Sequence, residues 1–260
     1  MILQQHLDSA IAAAKAAGEI ILPYFRTALQ IETKADQSPV TAADRAGEQV
    51  IIDTLRQHFP DYGVLGEEFG AQPGREDARW IIDPIDGTQN FIRGIPFFGT
   101  LIALEQAGEI TVGVVHAPAQ GDLLYAAKGL GAFANGERLT VSTIIDLAQA
   151  TLLHGSLDLM LQDGYWEGLT RLVQATRRQR GFGDYFAYTF VCRGQAEIML
   201  ETGIKPWDVA PLKILVEEAG GRFSDFTGTP TIYSGNAIIS NGRVHDAVLA
   251  LLGAVGPTPG

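Results

Sequence analysis

The stretch from Trp80 to Asn90, Trp-Ile-Ile-Asp-Pro-Ile-Asp-Gly-Thr-Gln-Asn, constrains this chain more than any other. Its apolar run reads as a strand ending in Asp83. Pro84 is expected to stop that strand, because it has no N–H to give to a sheet. Asp86 follows three residues after Asp83, and Gly87-Thr88 is expected to open a helix. Two carboxylates are thereby held on one stiff turn, close enough to share a divalent cation. The backbone N–H groups of Gly87 and Thr88 lie beside them at a helix N-terminus, where a phosphate binds. A metal site next to a phosphate site suggests phosphate-ester chemistry. The same residues have a plainer reading, since Asp-Gly and Asp-Pro are common turn dipeptides.

The chain has 260 residues, enough for a large core in one domain or two. Its net charge of −11 argues against a nucleic-acid partner, since no Lys/Arg stripe is present to displace counterions. Arg177, Arg178 and Arg180 form the basic cluster, expected as solvated surface. Cys192 is the sole cysteine, so no intramolecular disulfide can form, and it reads as a buried structural thiol. No basic leader is visible, and no run approaches the ~18 apolar residues of a membrane span. A cytoplasmic, reducing location with no membrane partner is expected.

Leu7, Ile11, Ala14, Gly18, Ile21 and Phe25 recur at spacings of four and three, one face of an amphipathic helix. A polar loop from Glu32 to Pro39 follows. Thr41 resembles an N-cap with Asp44 three residues on, and a second helix is expected to about His58. Gly66-Glu67-Glu68 and the stretch from Gly70 to Arg79 read as loop. From Trp80 to about Val141 the pattern is mostly strand, with a hairpin at Asn135-Gly136. Beyond it, strands at 152–155, 197–200, 222–224 and 237–240 alternate with helices at 164–176, 185–193, 209–219 and 244–252. Residues 256–260 read as a frayed tail. This predicts layered sheets and helices, with an α+β half over residues 1–144 and an α/β half over 145–260.

Several acids stand in suggestive surroundings, and Mg²⁺ takes oxygen ligands. Each alone has a bland reading. Glu67-Glu68 reads as surface charge, Asp44 as a capping-box member and Asp208 as an N-cap. Together they form an ordered pattern: Gly66-Glu67-Glu68, then Asp83-Pro84-Ile85-Asp86-Gly87-Thr88, then Trp207-Asp208 and, after eleven residues, Gly220-Gly221. Lys34, Ser38-Pro39-Val40-Thr41 and Asp44 precede it. This order resembles the inositol monophosphatase family of Mg²⁺-dependent, lithium-sensitive phosphatases, from Lys34 to the last helix. The resemblance implies a layered α+β/α/β sandwich similar to fructose-1,6-bisphosphatase.

It also implies roles. Glu67, Asp83 and the Ile85 carbonyl would bind a first Mg²⁺, and Asp83, Asp86 and Asp208 a second. Glu67 with waters would hold a weaker third. Gly87 and Thr88 N–H groups would hold the phosphate. The Thr88 hydroxyl, Glu67 and Asp44 would position and deprotonate the attacking water, with Lys34 behind them. A homodimer is implied as well.

Three features bear on the substrate, a small phosphorylated metabolite. The run Asn90 to Pro96, then Thr100 to Leu104, is similar to the branch that hydrolyses histidinol phosphate. Gly181-Phe182-Gly183-Asp184 stands where inositol phosphatases carry Gly-Thr-Ala or Gly-Ser-Ala. Glu201 matches a hydroxyl-binding glutamate of the inositol branch and could equally bind an ammonium group. Asp184 has an alternative reading as the N-cap of the helix from Tyr185. Histidinol phosphate, with its cationic amine, suits such an acidic pocket. Inositol 1-phosphate or another sugar phosphate is the alternative, and a non-catalytic metal-binding homologue the remote one.

Overall fold

Helix α1 (Ile2–Ile21) buries Leu7, Ala14, Gly18 and Ile21, the face that the spacing predicts. It lies close on the sheet beneath, where a Cβ at Gly18 would stand 2.5 Å from the His116 ring. Phe25 falls outside the helix, beyond a single 3₁₀ turn at Leu22–Tyr24. Pro23 has no N–H to continue the α-helical ladder. The computed structural model describes residues 2–28, 30–34, 39–74 and 77–253. Ser38 of the expected metal segment and the expected frayed tail at 256–260 lie outside them.

The polar segment after α1 contains a small antiparallel pair, β1 (Glu32–Thr33) with β2 (Pro39–Val40). Helix α2 (Ala42–Arg56) starts at Thr41 with the expected capping box and stops just before His58. Strands β3 (Gly63–Gly66), β4 (Gly70–Gln72) and β5 (Ala78–Asp86) lead into the short helix α3 (Thr88–Ile92). Strands β6 (Gly99–Gln106), β7 (Glu109–Ala117), β8 (Asp122–Ala127), β9 (Gly131–Ala134) and β10 (Glu137–Arg138) then run as a meander. Together these form one sheet in the order β10-β9-β8-β7-β6-β5-β3-β4. Asn135 and Gly136 both take positive φ, 48° and 90°, as the hairpin signal requires.

The second half contributes β11 (Thr151–His154), α4 (Leu157–Gln162), α5 (Trp166–Ala175), β12 (Arg178–Gly181) and α6 (Asp184–Cys192). It continues with β13 (Ile198–Thr202), α7 (Pro206–Glu218), β14 (Arg222–Ser224), β15 (Asn236–Ser240) and α8 (His245–Leu252). Its sheet has the order β12-β11-β13-β15-β14. Helices α1 and α2 cover one face of the first sheet. Helices α6 and α7 lie between the sheets, and α4, α5 and α8 cover the outer face of the second. One apolar cluster joins Ile81 and Leu101 of the first sheet to Leu212 of α7 and Ile239 of the second. Cys192 is buried there, as its apolar surroundings predict. Among the described residues no helix is long and apolar enough to cross a membrane.

Two expectations need correction. Pro84 does not end its strand. β5 runs on to Asp86, and its pairing with β6 shifts register between Asp83 and Asp86. The missing N–H falls inside that irregularity, and the Pro84 carbonyl accepts the Thr100 hydroxyl at 2.9 Å. The supposed loop from Gly70 to Arg79 contains β4 and the start of β5, because an edge strand pairs on one side and shows little apolar pattern. Arg178 and Arg180 are exposed, as expected, on the edge strand β12.

Candidate active site

The bulge in β5 decides where its carboxylates point. Residues three apart on a regular strand face opposite sides of the sheet. One irregularity restores a common side. Asp83 and Asp86 therefore converge, and Asp208 meets them from the first turn of α7. One carboxylate oxygen from each lies within 4.8 Å of the others. Asp208 is also a capping residue, since its Oδ2 accepts the Lys205 backbone N–H at 2.7 Å. The N-cap itself is Lys205, so Asp208 is the third residue of α7 and not the N-cap that the sequence suggests, and it reaches back to the cap while its carboxylate also lies in the trio.

Three carboxylates in a dry corner repel one another. Burial, then the charges of Glu67, Asp86 and Asp208, raise the pKa of Asp83 well above the ordinary range. Burial, then Asp184 and Asp208, do the same to Asp86. Burial pushes Asp208 up to about 7 against the pull of the Lys205 N–H. Such a cluster is stable only when protonated or when a cation is shared.

On one side stands α2. Asp44 is fully buried, and its Oδ2 accepts from the Thr41 N–H at 2.8 Å and the Thr41 hydroxyl at 2.6 Å. Its Oδ1 lies 3.3 Å from the Thr88 hydroxyl. That hydroxyl donates at 2.9 Å to the Ile85 carbonyl. Burial raises the pKa of Asp44. Glu67 follows β3, and its N–H donates to the Ile82 carbonyl at 3.1 Å. Its carboxylate is not one of the tight trio and takes the Lys34 ammonium at 2.8 Å instead. Lys34 also reaches Glu68 at 2.6 Å. Burial pulls the Lys34 pKa down, but the two glutamates outweigh it, so Lys34 stays a cation.

On the other side stands α6. Gly87 has φ 83°, and a Cβ there would lie 2.9 Å from the Phe97 carbonyl and 3.3 Å from Asp184 Oδ2. Only glycine meets both demands. Asp184 has φ 54°, and its Oδ2 accepts from Asn90 Nδ2 at 2.7 Å. The cap of α6 is Gly183, so the Asp184 side chain is not a helix cap. Asp86 Oδ2 accepts the Tyr185 N–H at 2.5 Å. Glu201 comes from β13 and lies against Gly155, where a Cβ would collide with its carboxylate. Burial, with added repulsion from Asp184 and Asp208, pushes Glu201 up to about 8. Two residues not predicted from the sequence thus matter here. Asn90 orients Asp184, and Glu48 of α2 accepts the N–H groups of Glu68 and Phe69. Glu48 lies four residues after Asp44 on one helix face, a spacing that could have revealed it.

Linkage gives these shifts a measurable consequence. Burial pushes Glu201 up to about 8 and Asp208 and Glu68 each up to about 7. From about pH 4 to about pH 8 the folded state holds protons that the unfolded chain has released. Metal-free stability should therefore fall as pH rises through that window. The thermal midpoint in a chelator should drop on the order of 5 °C or more, and Mg²⁺ should restore it. A midpoint independent of pH would contradict the electrostatics.

The chain matches the inositol monophosphatase family over residues 3–255. The chain belongs to that family. It is a phosphatase of the layered fold the family shares. It is 42% identical over 251 residues to a histidinol-phosphatase of Mycobacterium tuberculosis, covering 94% of this chain and 96% of that protein. It is 37% identical to the fructose-1,6-bisphosphatase/inositol-1-monophosphatase of Thermotoga maritima, covering 96% of each chain. The crystal structure of the extragenic suppressor protein suhB from Bartonella henselae superposes with a TM-score of 0.89 at 31% identity, covering 96% of this chain and 98% of that one.

Proposed function

We propose that this family member hydrolyses histidinol phosphate to histidinol and phosphate, using Mg²⁺. The observation that carries the reading is the acidic wall of Asp184 and Glu201 beside the trio of Asp83, Asp86 and Asp208. An ammonium group can draw these buried acids into their charged form and pair with them, whereas a neutral polyol offers them only hydroxyl hydrogen bonds. The 42% identity to a histidinol-phosphatase supports the same substrate.

The residues fit Mg²⁺, because buried oxygen donors with raised pKa values are what a hard cation stabilises. Glu67, Asp83 and the Ile85 carbonyl would hold one ion, and Asp83, Asp86 and Asp208 another, with a third weaker ion at Glu67. Bound Mg²⁺ supplies charge neutralisation on phosphate oxygens and acidifies bound water.

The chain's own groups do the rest. Gly87 and Thr88 N–H groups hold the phosphate at the start of α3. Thr88 has one hydroxyl hydrogen and two acceptors in reach, Ile85 and Asp44. With the carbonyl engaged elsewhere, the hydroxyl donates to Asp44 and accepts a hydrogen bond from the attacking water. The raised pKa of Asp44 makes it a better proton acceptor at the end of that relay. Glu67 shares the water, and Lys34 keeps Glu67 in place. A homodimer, a cytoplasmic setting and sensitivity to lithium belong to the same proposal.

A second reading has its own support. Glu201, pushed up to about 8, is neutral at pH 7 until a cation approaches, and a neutral carboxyl pairs well with a sugar hydroxyl. Inositol 1-phosphate or another sugar phosphate would then be the substrate, as the Thermotoga maritima relative's name describes for that protein. Phosphate release from histidinol phosphate, inositol 1-phosphate, fructose 1,6-bisphosphate and 3′-phosphoadenosine 5′-phosphate separates the readings. Histidinol phosphate is expected to show the highest kcat/KM. Preference for inositol 1-phosphate would overturn the first reading, and no release from any ester would point to a metal-binding homologue without activity.

Asp184 gives a sharper test. A charge-assisted hydrogen bond to the substrate amine is worth roughly 1.5–3 kcal/mol, about ten- to more than a hundredfold in kcat/KM. Asp184→Ala should cost that much on histidinol phosphate and little on glycerol 2-phosphate. Equal losses on both esters would mark Asp184 as a structural partner of Asn90.

A further inference from the structure

Helix α2 carries a second buried acid, four residues after Asp44. Glu48 is fully buried. Its Oε2 accepts the Glu68 N–H at 2.8 Å and its Oε1 the Phe69 N–H at 3.0 Å. Both bonds run from the helix to the turn that carries Glu67. That turn sits directly on the carboxylate, since a Cβ at Gly66 would collide with it.

The same helix touches the other acidic segment. At Gly47 a Cβ would lie 3.3 Å from the Pro84 ring, between Asp83 and Ile85. Asp44 reaches the Thr88 hydroxyl. Residues 44, 47 and 48 thus span both stretches of chain that supply Glu67 and Asp83. A short turn at a sheet edge satisfies its N–H groups with water at little cost. Burying a carboxylate for that task is expensive, and burial does raise the Glu48 pKa. The expense makes sense if the position of the turn matters more than its stability.

We propose that Glu48 is a positioning residue that fixes the Glu67 turn relative to Asp83 and so sets the affinity of the site for Mg²⁺. The inference rests on the reading of Glu67 and Asp83 as Mg²⁺ ligands. Glu48→Gln keeps the shape but turns an amide N–H₂ toward one of the two backbone donors. Gly66→Ala keeps the charge and pushes the carboxylate off the turn. Glu105→Gln is the control, a buried acid on β6 held by Arg79 and Tyr233.

Mg²⁺ binding to each purified protein is measured by calorimetry, and the Mg²⁺-induced rise in thermal midpoint is read beside it. Loss of a group that orients a metal ligand typically weakens binding about 10–100-fold. Glu48→Gln and Gly66→Ala are each expected to fall in that range, while Glu105→Gln loses stability and binds Mg²⁺ as the unaltered protein does. If Glu48→Gln fails to fold, Gly66→Ala decides. Unaltered Mg²⁺ binding in the folded variants, however far their midpoints drop, would overturn the proposal and leave Glu48 a structural anchor. Glu67→Gln separates the two levels. A loss there without one in the Glu48 and Gly66 variants overturns the positioning role alone. No loss in Glu67→Gln overturns the ligand reading with it.

Discussion

Asp83→Asn is expected to remove most turnover while leaving the chain folded and, without metal, more stable. Asp83 is the acid proposed to touch both principal ions, and it is buried among Glu67, Asp86 and Asp208. Asparagine keeps the shape. Its carbonyl can still accept the Ile85 N–H that Asp83 Oδ1 now takes at 2.9 Å. It cannot supply the charge that two cations need. The Lewis-acid contribution at stake is several kcal/mol, on the order of 10³-fold in rate. The metal-free protein gains because a charge that repels its neighbours is gone. Phosphate release against Mg²⁺ concentration reads the first effect, and thermal melts in a chelator read the second. Undiminished Mg²⁺-dependent turnover would remove Asp83 from the metal site.

Thr88→Ala is expected to lower kcat by ~10²–10⁴-fold while changing KM and Mg²⁺ affinity little, the scale of lost general-base assistance. The backbone N–H that meets the phosphate stays in place. Only the hydroxyl between Ile85 and Asp44 is removed. A raised KM at constant kcat would make the hydroxyl a binding group and end the proposed relay to Asp44. Retention of the Thr88→Ser rate near the original would confirm that the hydroxyl, and not the methyl group, is what matters.

The acids of the site were legible as residues and much less so as a geometry. Glu67, Asp83, Asp86 and Asp208 stand out because their motifs recur in order along the chain. Asp44 and Asp208 also looked like capping residues, and each makes a capping contact while its carboxylate faces the other groups of the candidate site. Capping uses one carboxylate oxygen, so a residue at the third position of a helix can stabilise its helix and still face a site. Glu48 escaped notice because its partners are backbone N–H groups twenty residues away or more, and backbone donors leave no trace in a side-chain pattern.

Local sequence determined most helices, many strands and the turns, because periodicity, caps and glycine conformations are properties of short windows. α1, the capping box of α2, the Asn135-Gly136 hairpin and the opening of α3 at Gly87 all follow from a few neighbouring residues. The pair β1–β2, strand β3, the edge strands β4 and β12 and helix α4 did not; for the edge strands the reason is that half of their surroundings is solvent. Tertiary structure alone decided that Asp83 and Asp86 share a side, since that depends on how β5 pairs with β6 through the irregularity at Pro84. It alone brought Asp208 to them, by seating α7 against the first sheet. It also turned Glu201 and Asp184 toward one another from β13 and α6. Like charges approach that closely only when burial in a packed core forces them to, and no sequence window contains that force.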